Sequence, residues 1–236
     1  MASKIRDIIR DIVEGLSFTQ SIDNLIDNGD GTYTIEVCKT YHVQALCSVI
    51  TIGGTDYPVT AVVDNTSVTI SSTSAPVGDS YTIAAPFYFA GTRIAVNNKL
   101  SLIESYEDKM PLVFLWEVLQ EGIIKDPESR LDQETTVRLF FLAPRNKEIN
   151  DTDTLYADSV DPMGNLLEAF VDSLEGNVLI LDDNIDRYDR LALPKFGVSS
   201  EEGAKDSFFN EYLSGLELRI TLPILRKFTG GTCGCE

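Results

Sequence analysis

The chain has 236 residues, 43% of them hydrophobic and 24% charged, enough to bury a core in one large domain or two modest ones. Thirty-seven acidic residues against 19 basic ones leave a formal net charge of −18. Such a surface repels phosphates, which excludes a non-specific DNA or RNA binder. No stretch reaches the roughly 20 apolar residues of a membrane span, and the charged start MASKIRDIIRDIVEGL holds no secretory apolar core. Four cysteines do not make a disulfide scaffold, so the chain reads as a soluble protein made in a reducing cytosol.

Taken in chain order, Ile5, Ile8, Ile9, Ile12 and Val13 recur at helical spacing, with Arg6, Asp7, Arg10, Asp11 and Glu14 on the other face. This predicts an amphipathic helix that stops near Gly15. From about Asn28 the texture changes to Thr, Val, Ile and Tyr broken by Gly-Asp-Gly, Gly-Gly and Asp-Asn turns. Tyr33, Ile35 and Val37, then Val68 and Ile70, alternate as strands do. Several short strands at close spacing predict a small all-β sandwich or barrel, running through SYTIAAPFYFAGT to about residue 92.

The remainder reads as α/β. PLVFLWEVL (111–119) and TTVRLFFLAP (135–144) are apolar runs expected as buried strands. Asp161-Pro162 supplies a helix cap and a proline at the first helical position, and Met163, Leu166, Leu167, Phe170, Val171 and Leu174 give that helix its apolar face before Gly176. VLILDD (178–183) suits a short strand, and Asp206–Leu213 a second helix. GLELRITLPI (215–224) alternates as a half-buried strand, with Pro223 pointing to a sheet edge. The first helix has no partner in an all-β module whose sheets bury each other. The expectation is therefore an α+β chain: an α/β domain of residues 1–26 and 93–236, with 27–92 inserted as the β domain.

Catalytic signatures are missing from this pattern. His42 is the lone histidine and sits in an expected strand with no Gly-flanked nucleophile, and there is no Walker loop, no GxGxxG and no HExxH. Asp182, Asn184 and Asp186 copy the start of a calcium loop, but Arg187 stands where the sharp turn needs glycine and Leu193 at the twelfth position. Cys233 and Cys235 lie in a glycine-rich tail with CxC spacing, tighter than zinc knuckles use, and Cys38 and Cys47 are expected as buried thiols of the β module. The expectation is a non-enzyme without metal or cofactor.

Charge distribution points to assembly instead. From Glu148 to Asp186 there are eleven acids and no Lys or Arg, flanked by Arg145 and Lys147 on one side and Arg187 and Arg190 on the other. Acid on one edge and base on another lets identical subunits meet head to tail. The candidate interface comprises Arg145, Lys147, Asp151, Asp153, Asp182, Asp183, Arg187 and Phe196, the last in the loop-like LPKFG. The tail after Phe228 is a candidate arm reaching a neighbouring subunit.

FYFAGTRIAVNNKL (87–100), KMPLVFLWEVLQE (109–121), RLFFLAPRNKEINDTDTLYADSVDPMGNLLEAFVDSL (138–174) and FFNEYLSGLELRITLPI (208–224) resemble segments of neck proteins of tailed phages, of the crAss-like or related Bacteroidetes-infecting groups. The resemblance covers about 95–236 and the first helix, and implies a tail-terminator-like or tail-completion-like α/β domain. The insert is similar to the immunoglobulin-like or small-barrel modules of phage structural proteins. It implies a virion protein forming a sixfold or twelvefold ring at the head–tail junction, between a portal or adaptor and tail proteins. The alternative is a carbohydrate- or surface-binding protein using Tyr33, Tyr41, Tyr57 and Tyr81 of the β module as platforms.

Overall fold

The computed structural model describes residues 2–45, 48–104, 108–116, 120–124, 131–144, 152–180, 188–196 and 212–225. The fold is mixed α+β and β-rich, built on two sheets. The first contains β1 (Phe18–Ser21), β2 (Asn24–Asp27), β3 (Thr32–Glu36), β4 (Val49–Ile52), β5 (Thr55–Val63), β6 (Ser67–Ser71) and β7 (Ser80–Ile83), in the order β1-β7-β4-β5-β6-β3-β2. Every pair in it is antiparallel.

Its two edge strands, β1 and β2, are consecutive in the chain. The Ile22 N–H donates to the Asp79 carbonyl and the Asp23 N–H to the Glu36 carbonyl, so the corner between them touches both ends of the sheet. The sheet must therefore curl until its edges lie side by side, as a half-barrel. β5 makes the bend, pairing with β4 through residues 55–58 and with β6 from Val59 on, with a register shift between Val59 and Ala61. Gly53 and Gly54 form the two-residue turn between β4 and β5 with φ of 55° and 83°, the handedness that matches strand twist. Ile35, Ile50, Ile52, Val59, Val68, Ile70 and Tyr81 fill the interior.

The second sheet contains β8 (Phe87–Gly91), β9 (Leu112–Trp116), β10 (Gln120–Ile123), β11 (Leu131–Pro144), β12 (Tyr188–Phe196) and β13 (Leu213–Leu225). Its order is β12-β13-β11-β9-β8, with β10 also on β11. Among the described residues only β8 and β9 run parallel, and α2 (Arg93–Ser101) forms part of their crossover. Thr92 caps α2 by accepting the Ala95 N–H, and the buried Lys109 ammonium donates to the carbonyls of Leu100 and Ile103 at its far end. α1 (Ala2–Glu14) and α4 (Asp161–Glu175) lie together on one face of this sheet. Ile5, Ile9 and Val13 share a core with Leu139, Phe141, Phe170 and Leu218.

Several sequence expectations shift. The half-barrel strands begin at Phe18 and end at Ile83, outside one expected insert limit (27) and inside the other (92). FYFAG belongs to the second sheet, where it pairs with β9. Asp161 is not the cap of α4, because α3 (Thr152–Leu155) and a π-helical stretch (Tyr156–Val160) run directly into it. A helix reaching Leu213 is overturned at that residue, which opens β13; positions 206–211 lie outside the described residues. Of the expected strand at 178–183, Ile180 makes a single bridge to Ile224, and 181–183 lie outside the described residues. β13 is an interior strand, between β12 and β11, but pairing with β12 ends at Ile220. Pro223 stands beyond that point, where a missing N–H costs no ladder bond to β12.

Candidate functional site

Alternation along β11 and β13 gives their sheet two unlike faces. Val137, Leu139, Phe141, Leu216, Leu218, Ile220 and Leu222 point to one side, all buried beneath α1 and α4. On the other side Leu112, Phe114, Phe140, Leu142, Leu213 and Phe196 are closed over by Val96 and Leu100 of α2. One step further along the strands that cover ends, and the face turns polar.

There stands Trp116, the only tryptophan in the chain, with two guanidiniums over its ring. The Arg93 and Arg138 guanidinium carbons are each 4.4 Å from its ring centroid. Arg138 Nε donates to Glu217 Oε1 at 2.6 Å, and Arg219 Nε donates to the same oxygen. Glu217 is only 3% exposed. Burial pushes its carboxyl up, but the hydrogen bonds and charges of Arg138 and Arg219 more than offset this and hold it below the usual carboxylate range. Asp189 faces Arg219 across the strand pair, and Thr136 and Thr221 share a 2.8 Å hydroxyl contact one step further on.

Arg93 differs from its neighbours. Its Nε is buried with no hydrogen-bond partner, and among the described residues it makes no ion pair. Burial and the nearby Arg138 charge hold its guanidinium below its ordinary value. It is also the first residue of α2, where the helix dipole disfavours a cation. The Glu217 charge offsets part of this, and a carboxylate or phosphate placed there would pair with the guanidinium and the dipole together. Among the described residues no nucleophile and base converge at this cluster; what its guanidiniums can do chemically is hold an anion beside an aromatic ring.

A second feature is a cleft of about 330 Å³ between the half-barrel and α4, lined by Cys38, Lys39, Tyr41, Asn65, Asn165, Glu168, Ala169 and Asp172. It sits at the joint of the two sheets. Asn165 Nδ2 donates to the Tyr41 carbonyl at 3.1 Å, Gln44 Nε2 to the Asp158 carbonyl at 3.2 Å, and Phe18 stacks on Tyr41 with centroids 4.4 Å apart. His42 is wholly buried there, with its Nε2 3.3 Å from the Ala84 carbonyl, and burial pushes its pKa down to about 4. A ring that stays neutral and out of solvent serves packing rather than proton transfer.

The residues singled out from sequence fare differently. Phe196 is buried, with its ring centroid 5.0 Å from that of Phe140, so it is core rather than contact surface. Asp153 is exposed in α3. Arg145, Lys147, Asp151, Asp182, Asp183 and Arg187 lie outside the described residues, as do Cys47, Cys233 and Cys235. Arg190 contacts Glu168 of its own chain at 3.8 Å, so this cation is partly engaged internally. Cys38 is exposed, not buried, and its thiol donates to Asp23 at 3.3 Å, which raises its pKa. The Arg93, Trp116, Arg138, Glu217 and Arg219 cluster went unread. Its traces were the lone tryptophan ending an apolar run, and arginines on the polar beat of two otherwise apolar strands. No protein-family model and no curated protein matches this chain.

Proposed function

We propose that this chain is a structural virion protein that forms a ring at the head–tail junction of a tailed phage, bridging a portal or adaptor to tail proteins. The observation that carries the reading is the division of charge across one sheet. On one side α4 exposes Asp161, Glu168, Asp172 and Glu175. On the other side Arg93, Arg138 and Arg219 gather in a chain whose net charge is −18. Unlike faces on opposite sides of a subunit favour head-to-tail contacts, and these close into rings when the rotation permits. The resemblance of 87–100, 109–121, 138–174 and 208–224 to phage neck proteins supplies the tailed-phage setting and the tail-terminator-like description of the second sheet with its helices.

The test is proteomics and cryo-electron microscopy of purified virions, with six or twelve copies per particle expected at the neck. Absence from intact virions removes the reading. The rival, glycan binding by the half-barrel, loses support from its own candidates. Tyr81 is fully buried with its hydroxyl on the Lys39 carbonyl, and Tyr33, Tyr41 and Tyr57 are half-buried against the core.

A further inference from the structure

We infer that the Arg93–Trp116–Arg138 cluster is a docking site for the acidic face of α4 on a second copy of this chain. The inference rests on the assembly reading above and names the contact that would carry it.

The site has the composition of an interface anchor. Tryptophan and arginine dominate binding hot spots because they combine a large apolar plate with directional donors. Here two guanidiniums pack over the plate, and Arg138 is oriented by the buried Glu217 carboxylate, so little side-chain freedom is left to lose on binding. Arg93 brings a guanidinium with no ion pair among the described residues, at the start of a helix whose dipole also seeks an anion. Thr136, Thr221 and the half-exposed Leu191 extend the surface beside it.

Charge complementarity selects the occupant. Asp161, Glu168, Asp172 and Glu175 are spaced seven, four and three residues apart, which places them within about 40° of one helical line. All four are exposed, Glu168 and Asp172 where they line the cleft beside Lys39, and this stripe lies on the opposite side of the sheet from the arginines. The same protomer therefore carries donor and acceptor faces that cannot meet each other but can meet a copy. Nucleic acid offers phosphates to the same guanidiniums, but the surrounding excess of carboxylates opposes a polyanion that must lie along the surface.

Two variants of the full chain test this. Arg93→Gln with Arg219→Gln removes cations from the docking site but keeps Trp116, Arg138 and Glu217. Asp172→Asn with Glu175→Asn weakens the helix stripe and leaves Glu168 with Arg190. At physiological salt, sedimentation velocity of the unaltered chain is expected to show self-association that rises with concentration. Each variant alone loses it by more than about tenfold in affinity. Mixed one to one, the variants recover a single intact contact and form a heterodimer that goes no further. That mixture also shows that both are folded.

An unaltered chain that stays monomeric at every concentration reached overturns the inference, as does a variant that associates like the parent or a mixture that stays monomeric. Preferential retention of a single-stranded oligonucleotide by the unaltered chain over the arginine variant overturns it in favour of a phosphate site. A chain found at the virion neck but monomeric here loses this contact and keeps the ring reading. A chain that assembles through this contact but is absent from virions loses the neck reading alone.

Discussion

The two faces of the second sheet are made by the same strands and have opposite characters. Beneath α1 and α4 the face is almost wholly aliphatic, with Phe141 and Phe170 meeting edge to face at 5.5 Å. The other face is aromatic where α2 covers it and cationic where α2 stops. Continuous burial on one side fixes strand register, since a slip of one residue would drive Arg138 and Arg219 into the helix layer. That frees the other side to carry groups chosen for something besides stability.

The strongest way to break this comparison is to cut into each face and weigh the damage. Phe141→Ala empties a fully buried aromatic site between sheet and α4, and should cost about 4 kcal/mol, read as a lowered urea midpoint. Acid probes the half-barrel in contrast to the sheet. His42 binds a proton near pH 6.5 when unfolded but only near 4 when folded. The unfolded state is therefore favoured as pH falls through that window, and stability should drop by about 3 kcal/mol between the two values. Urea midpoints measured across the window should lose this slope in His42→Gln, while the native fluorescence of Trp116 in the other sheet stays unchanged until unfolding.

Smaller effects sharpen the contrast on the open face. Glu217→Gln leaves two guanidiniums on a neutral partner, and because those side chains are 32% and 50% exposed, water offsets much of the loss. A cost of about 1 kcal/mol is expected, with a shift in Trp116 emission as the guanidinium plates relax. Arg93→Gln should cost about 0.5 kcal/mol, because the side chain gives up its cation–π contact with Trp116 but no ion pair among the described residues. A loss there as large as that of Phe141→Ala would show that the open face is a stability element after all.

How much of this was legible depends on how local the signal is. The first helix, the 111–119 and 135–144 runs and the alternation of 215–224 follow from spacing of apolar residues, which is a property of the chain itself. The crossover helix is silent in the sequence because RIAVNNKLS buries only Val96 and Leu100 and has no apolar stripe to announce it. FYFAG reads as part of the β module but pairs in the second sheet, because composition identifies a strand without naming its partner. Phe196 reads as a loop residue because a proline and a glycine flank it, yet it is the last residue of β12 and Leu213 sits opposite.

The sequence by itself determined the first helix, the helix that ends near Gly176, most of the strands, the strong negative charge, and the two-beat alternation that makes one face of those strands apolar. Only the tertiary structure decided which strands share a sheet and how far α2 reaches across its face. It also brought Arg93, Trp116, Arg138, Glu217 and Arg219, spread over more than half the chain, to one point. The reason is physical: periodicity is written in neighbouring residues, whereas the pairing of a guanidinium with a ring or a carboxylate depends on strand order, and strand order is settled by which long-range packing buries the most apolar surface.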